Sequence, residues 1–290
     1  MNICSIEELP HRLGFAGFKL DFPTESLGKP LTQFKMEVED ASILRYIYRN
    51  KRPHRHLEFG TWEGAGTLLA LENSDATVWT LNLYEGELKT DGSWAYGRKF
   101  QDGESAPLAA RKAVFDVEEP DVAEPSTAEK LLGTHLGRRL IESANKKLGV
   151  SIQTNKKGMR QDTYYQTDSF GFIGRRFLSA GFGHRVCQIY CDTRDWDTSN
   201  YPAGFFDTIL IDGGHTEEVV ISDTRKALPL LAPGGIMMWH DYCPDPEVLT
   251  NCTSPVGVVK GLDSIEKEIS DQFKDLFWVK PSWLALGIKR

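Results

Sequence analysis

The chain lacks the features that mark membrane-spanning and secreted proteins. Its 290 residues contain no apolar run near the ~20 residues that a membrane-spanning helix needs. The amino terminus has neither the basic region nor the apolar region of a signal peptide. The five cysteines are odd in number and show no metal-finger spacing, which favours buried free thiols. Together these absences predict a cytoplasmic location and no membrane partner.

Basic runs with interleaved aromatic residues are also missing. The net charge is −7, so binding to a nucleic-acid backbone is disfavoured and no nucleic-acid partner is expected. The composition, 40% hydrophobic and 26% charged, is that of a globular protein. A chain of this length can bury a substantial core.

The glycine pattern of a dinucleotide-binding turn is absent as well. An apolar strand at 55–59 runs into a Gly-rich turn and then a helix. The fingerprint G-x-G-x-x-G, counted from Gly60, needs glycines where the chain has Trp62 and Ala65. The pattern is instead E-x-G-x-x-x-G-x-G, formed by Glu58, Gly60, Gly64 and Gly66. It leaves room for a bulky sulfonium amino acid, with an acid facing its charge, although such a turn can also be purely structural.

Two further apolar strands end in polar clusters. Residues 206–211 lead into Asp212-Gly-Gly-His215, and residues 236–239 lead into His240-Asp241-Tyr242. Between them, residues 216–232 show helical spacing. Because ligands bind at the carboxyl ends of parallel strands, we expect these acids and imidazoles to share a site with the Gly-rich turn.

Strand and helix patterns alternate along the chain and predict an α/β fold. Residues 1–36 are predicted to form an irregular N-terminal arm, and residues 37–290 the main domain, which begins with a helix at 37–50. Besides the strands above, apolar runs indicate strands at 77–83, 185–190, 276–279 and 283–288. The predicted sheet therefore has seven strands.

A long insert, residues 86–170, separates the second and third predicted strands. Within it, residues 101–126 are rich in acid, proline and alanine and are predicted to form a loop or lid. Residues 127–148 are predicted to be helical, and the aromatic-rich segment 163–180 is expected to pack back on the core. The insert is interpreted as a substrate cap or a homo-oligomer contact, with a surface insertion of no function as the alternative.

The Gly-rich turn resembles motif I of the class I S-adenosylmethionine-dependent methyltransferases. The stretch from Phe206 to Tyr242, with D-G-x-H, L-x-P-G-G and W-H-D-Y, is similar to bacterial sugar and natural-product O-methyltransferases. The resemblance covers about residues 40–100 and 168–290 and leaves the insert out. It implies a Rossmann-like, mostly parallel seven-stranded sheet with helices on both faces, closed by two antiparallel strands. It also implies methyl transfer from S-adenosylmethionine to a hydroxyl of a small molecule.

The resemblance assigns a set of cofactor-binding residues. They are Glu58, Gly60, Thr61, Gly64, Asn82, Asp192, Thr193 and Asp212. Asn82 stands where the fold places a ribose-binding acid, and Glu85 or Glu87 is an alternative for that role. Asp192 and Thr193 stand at the adenine end, although Asp192 can equally be a turn residue.

A divalent cation and a general base complete the predicted site. His240 and Asp241 follow Asp212 by 28 and 29 positions, a separation similar to that of the metal-dependent catechol-type O-methyltransferases. Asp212, His240 and Asp241 are therefore the predicted ligands of Mg²⁺, Mn²⁺ or Fe²⁺. His240 replaces the usual acid, which shifts the preference away from Mg²⁺. The resemblance of D-G-x-H to the bacterial O-methyltransferases implies that His215 is the general base, and His215 and Asp212 are the predicted catalytic residues.

Other interpretations of these residues stay open. His215 could cap the helix that begins near Thr216, and His240 with Asp241 could be a structural pair without a metal. At the level of function, two histidines and a carboxylate are also the residue types of an iron-dependent oxygenase. A non-catalytic protein that keeps the cofactor pocket is a further alternative.

Overall fold

The computed structural model describes residues 1–83 and 173–290. The predicted loop at 101–126, the predicted helix at 127–148, and Glu85 and Glu87 lie outside the described residues. In the described part of the chain, no helix combines the length and apolar character that crossing a membrane requires.

One central sheet organises the described chain. Its strands are β1 (Asn2–Ser5), β2 (Arg55–Phe59), β3 (Thr77–Asn82), β4 (Val186–Tyr190), β5 (Phe206–Ile211), β6 (Leu231–Trp239), β7 (Phe273–Lys280) and β8 (Leu284–Lys289). Their order is β1-β7-β8-β6-β5-β2-β3-β4. Strand β8 is antiparallel to both of its neighbours, and the other pairs are parallel. The Rossmann-like, mostly parallel fold is confirmed, with eight strands instead of the predicted seven.

The additional strand comes from the predicted N-terminal arm. Residues 1–36 were expected to be irregular, but Asn2–Ser5 pairs with β7, where Asn2 lies beside Phe277. A four-residue strand is too short to show an alternating pattern, and its partner lies at the other end of the sequence. The expectation was therefore wrong at the start of the arm.

Helices cover both faces of the sheet, as predicted. They are α1 (Leu9–Leu13), α2 (Ala41–Lys51), α3 (Ala65–Asn73), α4 (Arg175–Ser179), α5 (Glu217–Leu230), α6 (Pro246–Asn251) and α7 (Ser254–Ile269). A π-helical turn, Met36–Asp40, directly precedes α2. Helices α2, α3 and α4 contribute to one apolar core and α5 and α7 to another. Alternate side chains of β3 enter the two cores, with Val78 in the first and Trp79 in the second.

The chain enters and leaves the segment 84–172 beside a single residue, Trp62. The Trp62 backbone N–H donates to Asn82 Oδ1 at 2.9 Å, and the Trp62 carbonyl accepts from the Gly174 N–H at 2.7 Å. Just beyond, Ile173 and Phe177 are buried in the core that contains α2 and α3. The prediction that segment 163–180 packs on the core is thus confirmed for these two described residues.

Candidate functional site

A cavity of about 670 Å³ lies at the carboxyl edge of β2 to β6. That volume falls within the range of about 300–1,000 Å³ that small-molecule sites usually have. All but one of the predicted site residues line it: Glu58, Gly60, Thr61, Asn82, Asp192, Thr193, Asp212, His215, His240 and Asp241. The parallel strands therefore bring residues that are far apart in sequence to one edge of the sheet.

Gly60 is required by a close crossing of two strand-end turns. Its φ is +98°, and a Cβ atom at this position would lie 2.0 Å from the Asp212 carbonyl oxygen. The Asp212 N–H in turn donates to the Phe59 carbonyl at 2.8 Å. Any larger residue would separate the turn after β2 from the turn after β5.

Gly64 packs against the helix that follows the long insert. It lies outside the set of residues that line the cavity, and its φ is +85°. A Cβ atom there would lie 2.6 Å from Phe177 Cδ1. The missing side chain therefore makes room for Phe177 of α4, and the assignment of Gly64 to the cofactor stays a prediction.

Glu58 is a buried acid on the cavity wall. Its carboxylate accepts a hydrogen bond from Thr67 Oγ1, and a Cβ atom on Gly66 would lie 2.2 Å from Glu58 Oε1. Burial, with a smaller contribution from nearby Asp212, raises the pKa of Glu58 to about 8 against the opposing hydrogen bonds of Thr67 and Thr80. The wall of the cavity thus favours the protonated form of this carboxyl, and a positive charge nearby would favour the carboxylate.

Hydrogen bonds fix the floor of the cavity beneath the Gly-rich turn. Thr61 Oγ1 lies 2.7 Å from Thr80 Oγ1 and 2.9 Å from Gln188 Nε2. The Asn82 side chain accepts from the backbone of Trp62, which itself has a positive φ of 41°. Thr80, Gln188 and Trp62 were not identified from the sequence, because their role depends on contacts between strands.

Asp192 behaves as the turn residue that was left open as an alternative. Its Oδ1 accepts from the Arg194 N–H at 2.9 Å, and its Oδ2 lies 2.6 Å from Arg194 Nη2. The Arg194 side chain lowers the pKa of this carboxyl. Asp192 also lines the cavity, together with Thr193.

His215 and Asp241 form a hydrogen-bonded pair. His215 Nε2 lies 3.0 Å from Asp241 Oδ2, and 42% of the His215 side chain is exposed. The alternative that His215 caps α5 is not observed, because Thr216 occupies the N-cap position. Burial alone would lower the pKa of His215, but the hydrogen bond with Asp241 and the charges of Asp241 and Asp212 raise it.

His240 lies between two acids. Its Nδ1 is 2.9 Å from Asp212 Oδ1, and its Nε2 is 3.1 Å from Asp40 Oδ2. Burial opposes its charge, but Asp212 and Asp241 raise its pKa well above the ordinary value. Sequence reasoning did not identify Asp40 as a site residue. Its position four residues before Leu44 places an acid on the apolar face of the predicted helix, and this could have indicated a buried, functional carboxylate.

The donor set fits a divalent cation. One ligand atom each from Asp212, His240 and Asp241 lies within 4.8 Å of the others. Histidines that bind metals usually donate their second ring N–H to a carboxylate or carbonyl, as His240 can donate to Asp40. The same distances suit a protonated imidazole between carboxylates, so a structural pair without a metal remains the alternative.

Comparison with protein families gives one match. Residues 131–242 match the model of a family described as a methyltransferase domain. The match confirms the resemblance to methyltransferases that the sequence motifs indicate. It includes Asp212, His215, His240 and Asp241, and it extends into residues 131–170, which we expected to lie outside the resemblance. No curated protein matches the chain.

Solved structures of methyltransferases are similar to this chain at low sequence identity. An O-methyltransferase from Bacillus cereus in complex with SAH is 12% identical, over 98% of this chain and 88% of that chain, with a TM-score of 0.43. The O-methyltransferase TomG from Streptomyces achromogenes, in complex with SAM, is 13% identical over 86% and 79%, with a TM-score of 0.41. A tRNA methyltransferase from Aquifex aeolicus is 13% identical over 89% and 70%, with a TM-score of 0.40. Similarity at this level does not identify a substrate.

Proposed function

We propose that this chain transfers a methyl group from S-adenosylmethionine to a hydroxyl oxygen of a small molecule, such as a sugar or a secondary metabolite. The observation that carries the proposal is the cavity that joins the Gly-rich turn after β2 to the His215–Asp241 pair. The match of residues 131–242 to a methyltransferase family supports it. A small acceptor is favoured over a nucleic acid because the net charge is −7.

The residues around the Gly-rich turn suit the cofactor. Glu58 offers a carboxylate toward a sulfonium or ammonium group, while Asn82 and Asp192 lie at the ends of the next two strands, where the ribose and adenine would bind. When bound, S-adenosylmethionine supplies an electrophilic methyl group. The residues of the cavity would hold it in line with the acceptor oxygen, which is the main requirement of this displacement.

His215 would act as the general base. With its Nε2–H donated to Asp241, Nδ1 is the nitrogen left to accept a proton. As the acceptor oxygen takes the methyl group, its proton would pass to Nδ1 and the sulfur would leave as a neutral thioether. Asp241 would hold the ring in this tautomer and stabilise the imidazolium that forms.

Asp212, His240 and Asp241 are the residues that would hold a divalent cation. A bound Mg²⁺, Mn²⁺ or Fe²⁺ would lower the pKa of the acceptor hydroxyl. An imidazole among the ligands favours Mn²⁺ or Fe²⁺ over Mg²⁺. The cation would then make the acceptor hydroxyl more acidic, and His215 would remove its proton.

Calorimetric titration with S-adenosylmethionine, with and without EDTA, is the first test. We expect binding in both cases, followed by formation of S-adenosylhomocysteine when a panel of hydroxylated sugars and phenols is supplied. Absence of cofactor binding would refute the proposal. Binding without transfer to any acceptor would favour the non-catalytic alternative, and Fe²⁺-dependent O₂ consumption without loss of the cofactor methyl would favour the oxygenase.

A further inference from the structure

Asp40 is a buried acid that belongs to none of the motifs above. It is 1% exposed and lies at the end of the π-helical turn Met36–Asp40. Oδ1 accepts from the Trp283 backbone N–H at 3.0 Å, and Oδ2 accepts from His240 Nε2 at 3.1 Å. One side chain thus joins the turn before α2, the start of β8 and the end of β6.

The neighbouring acid in the same turn, Glu39, faces away from the site. Its Oε1 accepts from Ser26 Oγ at 2.6 Å and from Lys29 Nζ at 3.2 Å, and its Oε2 accepts from the Lys35 N–H at 2.9 Å. Glu39 therefore anchors the turn to residues 26–35. Two adjacent buried acids have separate tasks, and only Asp40 touches the polar centre.

We propose that Asp40 is a positioning residue that orients the His240 ring so that Nδ1 faces Asp212 and Asp241, and thereby makes this centre a divalent-cation site. The proposal rests on the cation site named under the proposed function but not on methyl transfer, and the orientation of the ring rests on the contacts of Asp40 alone.

The chemistry of the carboxylate explains why an acid is needed at position 40. A carboxylate only accepts hydrogen bonds, and it can serve the Trp283 N–H and the His240 N–H at once. Holding a proton on Nε2 makes Nδ1, which lies 2.9 Å from Asp212 and 3.4 Å from Asp241, the nitrogen that would bind a cation held by these two acids. The almost complete burial of Asp40 means that water cannot replace it.

The Asp40→Asn substitution tests the hydrogen bonds of Asp40 while keeping the size of its side chain. Asparagine has nearly the same volume but offers one acceptor and one NH₂ donor, so either Trp283 or His240 loses its acceptor. Glu39→Gln is the matched control, because it makes the same acid-to-amide change one residue earlier without a contact to the polar centre.

The experiment titrates Mn²⁺ alone into the wild-type chain, Asp40→Asn and Glu39→Gln, with S-adenosylmethionine affinity and thermal unfolding measured in parallel. We expect Asp40→Asn to bind Mn²⁺ about 10- to 100-fold more weakly, as loss of such supporting carboxylates usually does. Glu39→Gln should match the wild type, and cofactor affinity should be unchanged in both. If Asp40→Asn does not fold, Asp40→Glu keeps the charge, displaces the carboxylate by one methylene and should weaken Mn²⁺ binding likewise.

Equal Mn²⁺ affinity in Asp40→Asn and wild type would overturn the proposal, as would equal losses in Asp40→Asn and Glu39→Gln, or no Mn²⁺ binding by the wild type. If the methyltransferase assignment were wrong and the role of Asp40 correct, the measurements would give another result. In that case the cofactor would not bind, while the difference in Mn²⁺ affinity between the two variants would persist.

Discussion

His215 and Asp241 meet across the ends of β5 and β6, with Nε2 of the imidazole 3.0 Å from Oδ2 of the carboxylate. Asp241 has a φ of +59°, which is uncommon for a residue other than glycine. Such conformations cost energy and are found preferentially at functional sites. The strained turn after β6 places this carboxylate against the partly exposed imidazole.

Replacing His215 by alanine should therefore abolish turnover without affecting cofactor binding. A lost general base typically lowers kcat by about 10²- to 10⁴-fold. Asp241→Asn should cause a smaller loss if Asp241 only orients the ring, and a complete one if it also holds a cation. The measurements are kcat and the calorimetric affinity for S-adenosylmethionine. His54→Ala, at an exposed position outside the cavity, is the control, and an active His215→Ala variant would contradict the assignment.

Alanine substitutions at three glycines distinguish the effect of a steric clash from the effect of a positive φ. Gly60→Ala introduces both, Gly234→Ala introduces only a positive φ of 70°, and Gly28→Ala introduces neither. We expect losses in the free energy of unfolding of more than about 2 kcal/mol, about 1 kcal/mol and close to zero, respectively. Urea denaturation measures the losses, and only Gly60→Ala should also reduce cofactor affinity. Equal losses at Gly60 and Gly234 would show that the crossing with Asp212 is unimportant.

Binding of the cofactor at pH 7 should release a proton from Glu58. Its pKa of about 8 means that the free protein holds this proton, and a sulfonium or ammonium group nearby would lower the pKa. Calorimetry in two buffers of different ionisation enthalpy measures the release. Glu58→Gln should eliminate it, and S-adenosylhomocysteine, which lacks the sulfonium charge, should reduce it. If wild type and Glu58→Gln release equal amounts, Glu58 does not face the cofactor's charge.

Asp223 of α5 should make the protein less stable as the pH rises. It is fully buried, and burial, with a smaller contribution from Asp192, raises its pKa to about 7. Thr193, Lys226 and Arg194 oppose this rise. An unfolded aspartate has a pKa of about 3.9, so between pH 4 and 7 the folded state binds more protons than the unfolded state. The free energy of unfolding should fall with rising pH across that window, by at most about 1.4 kcal/mol per unit, and level off above it.

Urea denaturation at pH 5 and pH 8 tests this. Asp223→Asn should remove the slope that Asp223 contributes and be more stable than the wild type at pH 8. Asp271→Asn, at an exposed position in a 3₁₀ turn, is the control. A less stable Asp223→Asn variant at pH 8 would show that the folded protein depends on the charge.

The parts of the structure that depend on local pattern could be predicted from the sequence. The strands at 55–59 and 206–211 are mostly buried and each is followed by a turn that contains glycine, and the structure gives them the bounds predicted from the sequence. Those bounds place Asp212 and His215 at one sheet edge. Parallel pairing makes this prediction possible, because it aligns all carboxyl ends whatever the strand order.

The parts that depend on contacts between distant segments could not be predicted. Strand β1 has only four residues, and it is a strand because it pairs with β7 from the other end of the sequence. Gly64 faces Phe177, which follows the long insert, and Asp40 meets His240 200 positions later. In each case the residue type was visible, but its neighbour was decided by tertiary packing.

The two hydrogen bonds of the Trp62 backbone have a consequence for changes in the length of segment 84–172. The Trp62 N–H donates to the Asn82 side chain, and the Trp62 carbonyl accepts from the Gly174 N–H. The residues on either side of segment 84–172 are therefore both hydrogen-bonded to Trp62. Because both bonds are made by residues outside 84–172, we expect a change in the length of that segment to leave the pairing of β3 with β4 in place. A variant with a short linker in place of residues 84–172, tested for folding and for S-adenosylmethionine binding, would show whether the described residues suffice for the proposed cofactor site.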